Sequence, residues 1–219
     1  MDLDCSVPSF KSVAEVGPQC DPETLKTWLK ILEFSSQVWI NCEHQINLYS
    51  QPCGTLLAKI AEQLQKVKVS DITAFSKPAT IFYFLGLEFG KWIDLDNNNG
   101  RLSAGLAVFF IKWGANLEHE KVLTFESWLS GFSESLKHAE KVGWYGPMFS
   151  GLKTVLLSIE RSCQKRCNIS DTLEHAANAA ETTAIETKMG DIDMKVDAGA
   201  HVVGITARAV YQAFKITQR

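Results

Sequence analysis

Three features of the 219-residue sequence predict an all-α fold. Apolar residues recur at spacings of three and four along most of the chain. Helix-start punctuation such as Asp-Pro, Ser-Lys-Pro and Gly-Pro precedes the periodic stretches, and no alternating run of useful length competes for strand. Asp21-Pro22 places an N-cap before a proline in the first helical position, and Leu25, Trp28, Leu29 and Leu32 then share a face. A second helix follows the Pro52-Cys53-Gly54 turn with Leu56, Leu57, Ile60, Leu64 and Val67. A third opens at Ser76-Lys77-Pro78 and carries Ile81, Phe82, Leu85, Phe89 and Trp92.

The polar loop Asp94 to Gly100 precedes a fourth segment with Leu106, Phe109, Phe110 and Trp113. Thr124 caps a fifth bearing Phe125, Trp128, Leu129, Phe132 and Leu136, and Gly146-Pro147 introduces a sixth with Leu152, Leu156 and Ile159. Ser170-Asp171 starts a seventh rich in alanine (Ala176, Ala177, Ala179, Ala180, Ala184), a strong helix former that lets neighbouring backbones come close. Asp197 caps an eighth in which Val203, Ala207, Val210 and Phe214 share a face. Helices of roughly 14–20 residues give an all-α bundle or barrel over 21–219, with residues 1–20 as a loose N-terminal arm.

Composition bounds the partners. A net charge of −3 gives no basic stripe for phosphate neutralisation, so nucleic acid is not expected as a partner. The first residues have neither the basic nor the apolar region of a secretory signal, and the longest apolar runs fall short of the roughly 20 residues that span a bilayer. The expectation is a cytoplasmic protein with no membrane span. Six cysteines, at 5, 20, 42, 53, 163 and 167, lack the dense spacing of a disulfide scaffold and read as reduced thiols. The acceptor pattern Asn168-Ile-Ser170 reads as a chance match without secretion.

Other constellations are weak. Asp94, Asp96 and Asn98 stand at positions 1, 3 and 5 of a calcium loop, but the glycine at position 6 is absent and Gly105 replaces the bidentate glutamate. Cys163 and Cys167 could hold half of a zinc site, yet no further ligands follow at suitable spacing. Glu88 and Lys91 read as a solvated helix edge, and no histidine stands in a readable triad.

Four segments carry a resemblance: Cys53-Gly-Thr-Leu-Leu-Ala-Lys-Ile60, Ser103-Ala-Gly-Leu-Ala-Val-Phe-Phe110, Leu173 to Met189, and Asp197-Ala-Gly-Ala200. In this order they resemble the nucleotide-binding L domain of dihydroxyacetone (glycerone) kinases, the DhaL domain, over about residues 24 to 215. The resemblance implies an antiparallel eight-helix barrel. It also implies a pocket for ATP with two Mg²⁺ ions, lined here by Cys53, Gly54, Thr55, Leu56, Leu102, Ser103, Gly146, Asp197, Ala198 and Gly199.

The family's metal turn, D-x-x-x-x-G-D-x-D-x-G, supplies three aspartates. Gln45, Ser50 and Pro52 stand in their places, and no carboxylate occurs from Gln45 to Cys53. Amide, hydroxyl and proline do not replace ionised oxygen ligands. The family's G-G-T-S-G loop aligns with Gly100-Arg-Leu-Ser-Ala104, keeping one glycine and the serine. Its P-G-D-[KR]-T-M element aligns with Tyr145-Gly-Pro-Met-Phe-Ser150, without acid or base, and its lid is shortened to Met189 to Ala200.

The expectation is therefore a pseudoenzyme with no catalytic residue, no metal and no cofactor. It is a binding or regulatory protein whose former pocket is vestigial, with Asp197 serving as a helix cap. One alternative is a kinase subunit acting on dihydroxyacetone with a separate K-domain partner, since the family's substrate-binding domain is not found in these 219 residues. Another is a carrier of a lipid-like ligand. Bulky faces (Phe82, Leu85, Phe109, Phe110, Leu156) and small ones (Gly105, Ala177, Ala180, Ala184, Ala207) need not fill the enclosure that the resemblance implies.

Overall fold

The structure is a computed structural model that describes residues 22–49, 53–66, 77–92, 100–120, 123–187 and 197–217. These form eight helices with no strand among the described residues: α1 (Pro22–Tyr49), α2 (Cys53–Lys66), α3 (Pro78–Gly90), α4 (Gly100–Asn116), α5 (Phe125–Lys141), α6 (Pro147–Gln164), α7 (Ile169–Glu186) and α8 (Ala198–Thr217). The all-α expectation holds, element by element. No helix is long and apolar enough to cross a membrane among the described residues.

Helix starts follow the residues that satisfy or remove orphan amides. Pro78 and Pro147 occupy first-turn positions that have no amide to satisfy. Thr124 caps α5: its Oγ1 accepts from Ser127 N at 3.1 Å, and Ser127 Oγ accepts from Thr124 N at 3.1 Å. One boundary differs from expectation. Helix α7 begins at Ile169, capped by Asn168, whose Oδ1 accepts from Asp171 N at 2.8 Å, so Ser170-Asp171 lies inside the first turn. The expected cap Asp21 lies outside the described residues, as do the side chains of Leu25, Trp28 and Leu29 and the calcium-like residues Asp94, Asp96 and Asn98.

The chain divides into two compact units. The first, Lys68–His138, holds α3, α4 and most of α5. Helices α3 and α4 approach at backbone distance where side chains are missing. A Cβ on Gly86 would lie 2.6 Å from Ile111 Cγ1 and 2.9 Å from Ile111 N, and one on Gly114 would lie 3.0 Å from the Tyr83 ring and 3.1 Å from the Ala79 carbonyl. Rings fill the remaining space. Trp113, 5% exposed, lies 4.5 Å from Phe82, 5.3 Å from Phe109 and 5.1 Å from Phe132 by ring centroid. Such pairs each contribute about 0.5–1.5 kcal/mol beyond burial.

Glu88 departs from its expected solvated position. It is 5% exposed among the aromatic residues of α3, and it pairs with Lys91, which reaches back from solvent. Sequence periodicity places Glu88 one residue from Phe89, on the edge of the apolar face, and the lysine one turn on neutralises the carboxylate that this packing encloses.

The second unit holds Lys26–Val67 and Ala139–Arg219, hence most of α1 together with α2, α6, α7 and α8. Ala176, Ala177, Ala180 and Ala184 are buried on α7, and Ala184 clusters with Ala200 of α8. At the margin of this alanine contact Arg208 Nε donates to Glu181 Oε1 at 2.8 Å and Tyr211 Oη donates to Glu174 Oε2 at 3.0 Å. Trp39 Nε1 of α1 donates to Thr206 Oγ1 of α8 at 2.9 Å. On α8 Val203 is buried as expected, while Ala207, Val210 and Phe214 are half-buried; the deeper face carries Val202, Ala209, Tyr211 and Ala213.

Two glycines of α3 separate packing from propensity. Gly86→Ala should destabilise the protein by about 1–3 kcal/mol through overpacking. Gly90→Ala, with nothing within 4 Å of the added Cβ, should stabilise it by about 0.4–1 kcal/mol through the unfolded chain. Urea denaturation of both variants checks this; equal effects would contradict the close approach of α3 and α4.

Candidate functional site

Within the second unit, the N-terminal ends of three helices supply the expected pocket residues. Helix α2 starts at Cys53, α6 follows Gly146, and α8 follows Asp197. Asp197 is a helix cap, as expected: its Oδ1 accepts from Ala200 N at 3.1 Å, and its carbonyl accepts the first intrahelical bond from His201 N at 2.9 Å. The Asp197 amide in turn donates to Thr187 Oγ1 at 3.3 Å, and that hydroxyl donates to the Ala184 carbonyl at 2.7 Å. The end of α7 and the start of α8 are thereby tied by one threonine, which sequence reasoning did not single out.

Gly199 is needed for a close approach. A Cβ there would lie 2.9 Å from Met148 Cβ and 3.1 Å from Met148 N, so the first turn of α8 rests against the first turn of α6. Gly146 sits at φ 130°, a region that L side chains rarely adopt, and it delivers the chain into Pro147. Behind it Trp144 meets Phe149 edge-on at 5.8 Å. Met148 is the missed residue of the site. Its signal was the Gly146-Pro147 start, which fixes the following residue in a first turn.

Cys53 and Asp197 face one another electrostatically. Burial pushes the Cys53 thiol up to about 12 from its ordinary 9.0, and the Asp197 carboxylate adds to the shift. The thiol is therefore neutral, neither a nucleophile nor a metal ligand at physiological pH. Gly54 and Leu56 are buried beside it on α2, Thr55 is half-buried, and Ala198 is buried at the start of α8. Leu102 and Ser103 belong to the first unit, where Ser103 is 1% exposed and Leu102 is half-buried.

Among the described residues no group of three or more His, Cys, Asp or Glu gathers as a metal site. Gln45 is an exposed amide on α1, and Ser50 and Pro52 lie outside the described residues. The side chains identified at this corner are a thiol, a thioether, a hydroxyl and one carboxylate that already caps a helix. That donor set does not fit Mg²⁺, which takes hard oxygen ligands in near-octahedral order, and no cation among them would receive a polyphosphate.

A search of solved structures finds the crystal structure of the dihydroxyacetone kinase of C. freundii in its native form. The TM-score is 0.69 at 17% sequence identity over 97% of this chain. The two share a helical fold. The chain spans 38% of the length of that kinase chain. No family model matches the sequence, and no curated protein matches it.

The Cys53 thiol gives the site a pH signature. Below pH 9.0 the thiol is protonated in both folded and unfolded chains; between 9.0 and about 12 the unfolded chain releases its proton and the folded chain does not. Stability should therefore fall with rising pH across that window, relative to a Cys53→Ala variant measured in parallel by urea denaturation. In Asp197→Ala the alkaline loss should be shallower, while the missing cap costs about 0.5–2 kcal/mol at every pH. Identical pH profiles for wild type and Cys53→Ala would contradict the buried neutral thiol.

Proposed function

We propose that this protein is a catalytically degenerate relative of the dihydroxyacetone-kinase nucleotide domain, a binding or regulatory protein without kinase activity. The observation that carries the reading is the neutral set Gln45, Ser50 and Pro52 where the resemblance calls for three aspartates. Phosphoryl transfer is almost entirely positioning and charge neutralisation around Mg²⁺. A chain without those carboxylates lacks the means to hold the metal, whatever remains of its pocket.

The buried, protonated Cys53 and the capping role of Asp197 support the same reading, since both residues serve packing or helix termination. On this view residues 21–219 are one helical domain behind a short arm, the protein works in the cytoplasm, and the ten pocket residues are vestigial. The competing reading, a kinase subunit that phosphorylates dihydroxyacetone with a substrate-binding partner, is separated by the same experiment.

That experiment is thermal denaturation with and without millimolar Mg²⁺ and ATP. A ligand at 100 times its dissociation constant adds about 2.7 kcal/mol of stability, several degrees of melting temperature for a domain of this size. The expected shift is none beyond that of Mg²⁺ or ATP alone. A shift requiring both together, or phosphoryl transfer to dihydroxyacetone when a substrate-binding kinase subunit is added, would overturn the proposal.

A further inference from the structure

At the far end of α6 from Met148, about 25 Å along the helix axis, the chain leaves the helix through Cys163, Gln164, Lys165, Arg166 and Cys167. Arg166 takes φ 57° and its amide donates to the Cys163 carbonyl at 2.9 Å, while Cys167 N donates to the Ser162 carbonyl at 3.0 Å. This pair of bonds is a Schellman ending. It folds the backbone back so that Cys167 lies against the last turn, beside Cys163. The turn is held in place from α7, where His175 Nδ1 is 3.0 Å from Ser162 Oγ.

Cys163 is exposed, Cys167 is half-buried, and neither is in a disulfide. Arg161, Lys165 and Arg166 are all exposed within this stretch and offset the negative carbonyl end of α6. An accessible thiol in a cationic setting with a second thiol close by is the arrangement in which a sulfenic acid forms and is then resolved. Among the described residues no third ligand completes a metal site around the pair, which leaves thiol chemistry rather than zinc binding.

We propose that Cys163 and Cys167 form a peroxide-reactive dithiol, with Cys163 as the attacking thiol and Cys167 as the resolving one. In the first step the Cys163 thiolate attacks one oxygen of hydrogen peroxide. The O–O bond breaks, and the departing hydroxide takes a proton and leaves as water. The Cys167 thiolate then attacks the Cys163 sulfenic sulfur; the S–O bond breaks and a second water leaves. The two thiols lose two electrons, the peroxide gains two, and one S–S bond is formed. This site is independent of the pocket residues and of the absence of kinase activity.

The test is oxidation of the reduced full chain with a small excess of hydrogen peroxide, followed by mass spectrometry. Trypsin cuts after Lys165 and Arg166 and so separates the two cysteines, and a disulfide between them appears as a linked pair of peptides beginning at Ser162 and Cys167. The expected result is this linked pair, with the intact mass lower by about 2 Da and restored by dithiothreitol. In Cys167→Ser, dimedone should label Cys163. Stepwise oxygen addition without the link in the wild-type chain, covalent dimers through Cys163, or dimedone labelling confined to other cysteines would overturn the proposal.

Discussion

Backbone-to-backbone approach of helices is the constraint on which the rest of this structure depends. In the first unit it is set by Gly86 and Gly114, which bring α3 against α4; Gly131 of α5 then lies so close to the Trp113 ring that a Cβ would come within 2.5 Å of it. In the second unit the same constraint acts through the alanine face of α7, through Gly199 against Met148 and through Gly151 against Val203. Close-packed interiors tolerate little change of volume at such points. Neither set of contacts involves the turn from Gln45 to Pro52, so aspartates can vanish from that turn while the helices remain. A fold is separable from the site grafted on it.

The corner around Asp197 shows what packing makes of a pocket once charge is withdrawn. Cys53 is sealed and neutral, Met148 fills space against Gly199, and the Asp197 carboxylate satisfies an amide of its own helix. Each of these groups meets a local demand of helix ends and burial, and none leaves a charge positioned for a phosphate. As proposed, this is the sense in which the site is vestigial.

Helix number, order and most starts were legible in the sequence because Pro78, Thr124, Pro147 and Asp197 act within one turn of themselves. Asn168 was passed over in favour of Ser170-Asp171, since three polar residues in four positions can all cap and only the backbone conformation chooses between them. Glu88 was misjudged because charge argues for solvent. Its neighbours on α3 are so uniformly apolar that the helix is buried nearly all round. The pocket residues were legible only through the resemblance: nothing local to Gly199 or Met148 announces a contact between α8 and α6. Thr187 was invisible for the same reason, because its role depends on where α8 begins.

The central claim is that Mg²⁺ and nucleotide find no joint site on this chain. Electron paramagnetic resonance with Mn²⁺ in place of Mg²⁺ reads this directly, because a metal held by protein and nucleotide together has a spectrum unlike that of the metal–nucleotide complex in solution. The account predicts that adding the protein to Mn²⁺ and ATP leaves the spectrum unchanged. A protein-dependent signal that requires ATP would contradict it.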